Sequence, residues 1–337
     1  MTTRVELQFW LESQSTEDES RAVVLSQNVF DEFERIDQLM SRYKPESELS
    51  KVNRLASQKP VAVSLELFSI LQKAKQVSKL SGGAFDMTFA SVGYLYDFRL
   101  SQQPDKYLLK TKLGRVNYRL VKLNRRDLTV HFEQPGMMID LGGIAKGYAV
   151  DQGITILAEQ GVQYARLSAG GDMRLLGDKR GKPWIVGIKD PRSAVFQSKV
   201  QGQTQENRVQ ENRAQQNKAH QSKGNYSDGE HVVALPLSDV SISTSGDYER
   251  FFIDETGERI HHILSPKTGR PVKGIQSVSV IGPNAITTDG LSTAIFVLGL
   301  EKGLAMIEKL DGIDVIIIDS QRKLHFSEGL MPPKSSK

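Results

Sequence analysis

The chain has 337 residues, 44 Lys+Arg against 40 Asp+Glu for a formal charge of +4, and no cysteine. Hydrophobic residues are 39 % and charged residues 25 %, which excludes a wholly disordered chain; zero Cys excludes disulfides, thiolate metal sites, a cysteine nucleophile and a Cys-borne lipid anchor. No window reaches the ~18 apolar residues of a membrane span, and interspersed charges without an aromatic–basic stripe leave no nucleic-acid partner expected.

Met1–Trp10 alternates like a strand rather than a signal peptide. As it stands the chain reads as cytoplasmic, with the periplasmic side of the inner membrane as the place if a leader was removed. The first helix is expected over Ser20–Tyr43, where Val24, Val29, Phe30, Phe33, Ile36, Leu39 and Met40 recur near helical spacing and Pro45 stops the run. A second helix is expected from Ser64, with Phe68, Leu71, Ala74, Val77 and Leu80 on its apolar face and Gly82-Gly83 at its end. Strands are expected at Arg119–Leu123 and Leu128–Phe132, and the apolar run Met137–Leu141 reads as a third that breaks at Gly142-Gly143. A helix follows from Ile144 to Gly161. Arg166–Ala169, Gly170-Gly171 and Met173–Leu176 read as strand, tight turn, strand, and Trp184–Ile188 as another strand.

The segment Gln197–Glu230 differs from its surroundings. It holds eight Gln and four Asn with few apolar residues, and Gln205–Arg208 recurs as Gln210–Arg213. Such a composition cannot bury enough apolar surface to offset its ordering entropy, so a disordered insertion is expected. Beyond it come a strand at Val232–Leu237, a hairpin of Phe251–Ile253 with Arg259–Leu264, a strand at Ser277–Gly282, helices at Asn284–Leu298 and Glu301–Leu310, and a hairpin of Val315–Ile318 with Lys323–Phe326. Residues 331–337 read as a flexible tail. Strands and helices mix without a βαβ repeat, so the fold expected is α+β, mainly antiparallel sheets with packed helices, in one catalytic unit over 1–330.

Four strings carry possible chemistry. Ile139–Tyr148 ends an apolar run in Asp140, turns on Gly142-Gly143, and opens a helix with Lys146 in its first turn. Free N–H groups, the helix dipole and a Lys suit a phosphate; a packing turn with a solvated Lys is the plainer reading, and the string is neither a Walker loop nor G-x-G-x-x-G. Asp289 and Thr293 lie four apart on one helical face. With a free carbonyl they offer hard oxygens to Mg²⁺ or Ca²⁺; an Asp near a helix start is the alternative. Of the adjacent His261 and His262, only one can face a given site from a strand. Histidine suits proton transfer, but a lone histidine is more often structural. Ser81–Thr88 leaves a helix with Phe85 facing either a flavin or base, or the core. Together these strings fit a nucleotide diphosphate with Mg²⁺.

In combination, the motifs resemble the ApbE-type flavin transferases, the FAD:protein FMN transferases. Met40–Ser50 resembles that family's MSTYRPDSELS, Gly83–Asp86 matches GAFD, and Asp140–Ala149 matches DLGGIAKGYA. Ser168–Asp172 resembles NIGGD, Thr244–Arg250 matches TSGDYER, His261–Leu264 opens HHILDP, and Asp289–Ala294 resembles DALATA. The likeness runs from about Arg35 to Gly303 and is broken by the Gln-rich insertion. Ser265 departs from the Asp of HHILDP and Met87 from a frequent Pro. The resemblance implies a T-fold-like architecture and Mg²⁺-dependent transfer of FMN from FAD to a Ser or Thr hydroxyl of an acceptor flavoprotein. That acceptor would be a respiratory or reductase subunit with a Ser/Thr-Gly-Ala-Ser/Thr type segment. Met40, Ala84, Phe85, Asp86, Asp140, Lys146 and Ile263 would line the FAD site. Mg²⁺ would sit on Asp289, Thr293 and the carbonyls of Ser292 and Gly143. Lys146, Asp289 and His262 would be the catalytic groups, His262 for proton transfer. An FAD pyrophosphatase or a non-catalytic flavin-binding protein would use the same site.

Overall fold

A computed structural model describes residues 3–12, 15–193 and 231–331. The Gln-rich insertion 197–230 and the tail from 332 onward lie outside the described residues. Two compact units are present, residues 1–182 with 238–337, and residues 183–237.

The first unit opens on strand β1 (Val5–Phe9) and helix α1 (Thr16–Met40). The helix starts four residues before the expected Ser20. The Ser15 side chain accepts from the Asp18 N–H, and Glu17, Asp18 and Glu19 complement the dipole in the first turn. Its buried stripe is Leu25, Val29, Phe33, Ile36 and Met40, whereas Val24 and Phe30, expected on that stripe, are exposed. Helix α2 (Glu48–Leu55) follows, capped by Ser47, and then β2 (Val61–Ala62). Helix α3 (Leu65–Leu80), capped by Ser64, buries Phe68, Leu71, Ala74 and Val77 but leaves Leu80 exposed, and ends where Gly82 and Gly83 take positive φ. Short helices α4 (Ala90–Gly93) and α5 (Lys106–Leu113) precede β3 (Val121–Asn124) and β4 (Thr129–Phe132), which form a small antiparallel sheet with β2.

Met137–Leu141 belongs to no strand or helix. Its backbone polar groups are taken by side chains and loops instead of a ladder. The Asn53 amide bonds both the N–H and the carbonyl of Ile139, Ser91 Oγ accepts from Met138 N–H, and the Asp140 N–H donates to the Met87 carbonyl. Met137, Ile139 and Leu141 are fully buried, so the apolar run was a core signal rather than a sheet signal.

Helix α6 (Ala145–Glu159) leads to the hairpin of β5 (Ala165–Ala169) and β6 (Asp172–Leu176). The remaining strands of this unit are β9 (Ser241–Gly246), the small pair β10 (Phe251–Ile253) and β11 (Arg259–His261), β12 (Ile275–Gly282), β13 (Asp314–Asp319) and β14 (Leu324–Phe326). Between β12 and β13 run helices α7 (Ala285–Leu298) and α8 (Leu300–Ile307). Seven strands form one antiparallel sheet in the order β1-β5-β6-β9-β12-β13-β14. Helix α6 packs on β5 and β6, α7 packs on β9 and β12, and α1 lies against α6. This is the α+β architecture expected from the mixed element pattern. The described part of the second unit is an antiparallel pair, β7 (Trp184–Lys189) with β8 (His231–Leu237).

Candidate functional site: a lysine between two carboxylates

Helices α6 and α7 meet where Gly147 faces Ala285, and a Cβ on Gly147 would run into the Ala285 carbonyl. That contact requires glycine for space, since its backbone is ordinary helix. Two further bonds lock the crossing. Asp151, one turn along α6, accepts from the N–H groups of Ala285 and Ile286 at 2.8 Å each, so one helix caps the other. Asp289, one turn into α7, accepts from the Gly147 N–H at 3.0 Å. The start of α6 is therefore less open to an anion than its sequence suggests. No side chain caps it from its own N-cap residue, yet the Ala145 N–H is bonded to the Leu141 carbonyl and the Gly147 N–H to Asp289.

Lys146 projects into the same junction. Its ammonium contacts Asp172 and lies 3.4 Å from both carboxylate oxygens of Asp289. Asp172 stands at the start of β6, directly after the Gly170-Gly171 turn, and is 2 % exposed; Asp289 is 3 % exposed. Burial works against the Lys146 charge, but Asp172 and Asp289 outweigh it and hold the ammonium above its ordinary value. Asp289 is pushed up to about 7 by burial and then by the negative charge of Asp172, against the opposing pull of Lys146 and the Gly147 N–H. Two buried carboxylates face one ammonium, so the cluster carries an excess negative charge.

Neutral oxygens line α7 on either side of Asp289 in sequence. Ser245 Oγ on β9 lies 2.9 Å from Ser292 Oγ and 3.2 Å from Thr293 Oγ1 on α7. Ser243, two residues back on the same face, bonds Thr288 at 2.8 Å. The Gly142-Gly143 turn closes the other side. A Cβ on Gly143 would stand 3.4 Å from Thr293 Oγ1 and 3.2 Å from the Phe85 ring. Asp289, Ser292, Thr293 and Gly143, expected together as metal ligands, are brought to one place. Among the described residues no group of three His, Asp or Glu side chains could hold a metal. A cation here would rest on one carboxylate with neutral oxygens, the donor set of a hard divalent ion. Asp289, raised first by burial and then by Asp172, releases its proton readily to a bound cation, so the residues present suit Mg²⁺.

The other predicted residues divide. Asp140 is held by Arg42 Nε at 2.8 Å, and its second oxygen accepts from the Gly142 N–H, which fixes the glycine turn. Arg42 is in turn sandwiched by Tyr43 and Tyr94, 4.3 and 4.1 Å from their ring centres. Phe85 is buried against Gly143, and Ala84 is buried beside it. Asp86 spends its carboxylate on the loop, accepting from the N–H and hydroxyl of Thr88 and from the Tyr118 N–H. Met40 and Ile263 are core side chains, 5 % exposed each. His261 is buried, bonds the Val272 carbonyl and meets Phe296 edge-on. His262 points the other way, with Nδ1 3.3 Å from the Arg250 carbonyl and its ring edge-on to Phe98. Burial, then the charges of Arg250 and His261, push the imidazole down to about 3.

Sequence reasoning missed Asp172, Ser245 and Arg42. Each sits inside a motif that resembled the family, but its partner lies 26, 47 or 98 positions away, and nothing local marks the pairing.

The comparisons with known proteins show the family. The ApbE family profile matches residues 1–317. The FAD:protein FMN transferase of Treponema pallidum (strain Nichols) is 30 % identical over 322 residues, covering 90 % of this chain and 80 % of that one. That of Klebsiella pneumoniae (strain 342) is 30 % identical over 306 residues, covering 90 % and 84 %. Among solved structures, the flavin transferase ApbE from Vibrio cholerae superposes with a TM-score of 0.77 at 27 % identity, covering 97 % of this chain and 94 % of that one. The ApbE protein from Thermotoga maritima gives 0.76 at 27 % identity, covering 97 % of each. A profile that spans the α6–α7 junction and nearly the whole sheet settles the matter of kinship: this chain belongs to the ApbE family.

Proposed function

We propose that the protein is a Mg²⁺-dependent FAD:protein FMN transferase. The observation that carries the reading is the Lys146 ammonium held between Asp172 and Asp289, with Thr293, one turn beyond Asp289 on α7, against the Gly143 turn. A pyrophosphate needs cations at its oxygens, and the junction supplies one lysine and a seat for one divalent ion.

In this reading the FAD pyrophosphate lies between Lys146 and the glycine turn. Asp289, Thr293 and the carbonyls of Gly143 and Ser292 would hold Mg²⁺, which supplies charge neutralisation at the phosphates. A Ser or Thr hydroxyl of the acceptor attacks the phosphorus on the FMN side. The bond between that phosphorus and the bridging oxygen breaks, AMP leaves with the oxygen, and FMN stays on the acceptor as a phosphoester. Lys146 donates to the phosphate oxygens; a unit-charge pair at ~4 Å and an effective dielectric of ~20 interacts by about 4 kcal/mol. With Nδ1 turned to the Arg250 carbonyl, His262 Nε2 is the acceptor for the hydroxyl proton. Arg42 and Asp140 stiffen the turn, and the Phe85 ring covers it. Met40 and Ile263 have committed their side chains to the core, so their contacts with FAD run through the backbone. All these residues belong to the unit of 1–182 with 238–337, and the reading treats residues 1–330 as one catalytic unit interrupted by the insertion. Among the described residues no helix is long and apolar enough to cross a membrane. The acceptor is a flavoprotein with a Ser/Thr-Gly-Ala-Ser/Thr type segment.

The deciding experiment mixes the protein, FAD and Mg²⁺ with such an acceptor and follows in-gel flavin fluorescence. Covalent flavin that requires Mg²⁺ is the expected result. Rapid AMP release without acceptor would point to a pyrophosphatase instead, and bound FAD that never turns over to a flavin-binding protein.

A further inference from the structure

Two buried carboxylates from different elements share one ammonium, and they do so unequally. Lys146 Nζ contacts Asp172 closely but stays 3.4 Å from each oxygen of Asp289. Lys146 is the only side-chain hydrogen-bond partner of Asp172 among the described residues. Asp289 has a second anchor, the Gly147 N–H, and neutral oxygens nearby at Thr293. Asp172 is also placed rigidly. It leaves a turn in which Gly170 has positive φ and in which a Cβ on Gly171 would collide with the Thr244 carbonyl.

From this asymmetry we infer that Asp172 is a positioning residue, which draws the Lys146 ammonium off Asp289 and leaves that carboxylate open to a divalent cation. Lys146 is a built-in competitor for the seat expected to take Mg²⁺. Without Asp172 the ammonium, with about a third of its side chain exposed, would close on Asp289, the one carboxylate left against it among the described residues, because the opposite charge 3.4 Å away draws it in. With Asp172 in place, Lys146 keeps its charge at the site for the substrate phosphates. The inference rests on the metal seat of the proposed function, and it assigns Asp172 a role through Lys146 rather than as a ligand.

The test is a double-mutant cycle read by calorimetric titration of MgCl₂ into the FAD-free protein, with thermal melts to show that each variant is folded. Asp172→Asn is expected to weaken Mg²⁺ binding about tenfold, and Lys146→Met to tighten it several-fold, as removal of a competing cation requires. In the Lys146→Met background, Asp172→Asn is expected to change the affinity less than about twofold, the signature of two residues acting as one unit. Equal weakening in both backgrounds would mean that Asp172 acts as a plain charge, and would overturn the inference. So would a normal affinity in Asp172→Asn. Should that variant not fold, Lys146→Met alone decides, since unchanged or weaker binding there also overturns it. If the unaltered protein bound no Mg²⁺, the metal seat itself would fall, and both readings with it.

Discussion

The N–H of Gly147 on α6 donates to Oδ2 of Asp289 on α7, where a Cβ on Gly147 would collide with Ala285 and Asp289. One residue thus provides both the space for the crossing and the bond that orients the carboxylate. Gly147→Ala would place a methyl against the Ala285 carbonyl and force the helices apart. Overpacking of this kind costs about 1–3 kcal/mol. In urea the unfolding free energy should fall by that amount, which lowers the midpoint by that amount divided by an unchanged slope, and Mg²⁺ affinity should fall too because Asp289 loses its donor.

The same carboxylate sets a pH dependence. Asp289 is pushed up to about 7 from an ordinary 3.8 by burial and by Asp172. Between those values the folded metal-free protein holds a proton that the unfolded chain has released. Its contribution to stability therefore falls as pH rises from about 4 to about 7 and is level above that. Mg²⁺ needs the ionised carboxylate, so its apparent affinity should rise over the upper part of that range. Thermal melts and Mg²⁺ titrations at pH 5, 6, 7 and 8 check both slopes. Asp289→Asn should flatten the first and abolish the second; a sloped Mg²⁺ response in that variant would defeat the assignment.

The parts of this site that were legible in the sequence are those with local chemistry. Asp140-Leu141-Gly142-Gly143 followed by Lys146 could be read as a ligand turn, and Asp289 with Thr293 as one helical face. What was not legible depends on the sheet. Strand β9 reads Ser-Ile-Ser-Thr-Ser-Gly, with no apolar alternation to announce a strand. It is central nonetheless, and three of its four hydroxyls find partners: Ser243 and Ser245 on α7, Thr244 on Ser279 of β12, while the buried Ser241 hydroxyl has none. Polar side chains that satisfy each other can occupy a core position that pattern reading reserves for Val and Ile. Met137–Leu141 fails in the opposite sense, because an apolar run signals burial and Asn53 satisfies its backbone without a neighbouring strand.

Those hydroxyls give the third prediction. Ser245 is the bond that ties Ser292 and Thr293 to the sheet. Ser245→Ala removes a partner from two hydroxyls, at about 1 kcal/mol for one net hydrogen bond. Thr293 would turn more freely, and Mg²⁺ affinity should weaken severalfold while FAD-free stability drops only slightly. Ser245→Thr keeps the hydroxyl and should restore the affinity if the new methyl is accommodated. A loss of stability with normal Mg²⁺ binding would make Ser245 a packing residue only.

Asp151 offers a control for the helix junction away from the metal seat. Its carboxylate accepts two backbone N–H groups at the start of α7, where Asn284 caps a third, that of Thr287. Asp151→Ala should cost about 1–2 kcal/mol, the usual loss for a strong cap. Hydrogen exchange should show the first turn of α7 opening before the rest. Asp289 lies in the next turn, so a small loss of Mg²⁺ affinity should accompany the fraying and scale with it.

His262 makes the last prediction, and its direction is counter to the usual behaviour of histidine. Burial, Arg250 and His261 hold the imidazole down to about 3, with Lys146 contributing in the same sense. The free protein should therefore show no imidazole step for His262 between pH 5 and 8, by NMR of its ring carbons. The FAD pyrophosphate would bring negative charge against the same ring and offset those cations, so saturation with FAD should raise the value and make the ring a better base. His262→Gln keeps a polar side chain but accepts no proton. It should lower kcat by about 10²–10⁴ if the ring takes the acceptor's proton, with KM for FAD little changed. Equal losses in kcat and in FAD affinity would instead assign His262 to binding, and the proton would then leave to solvent.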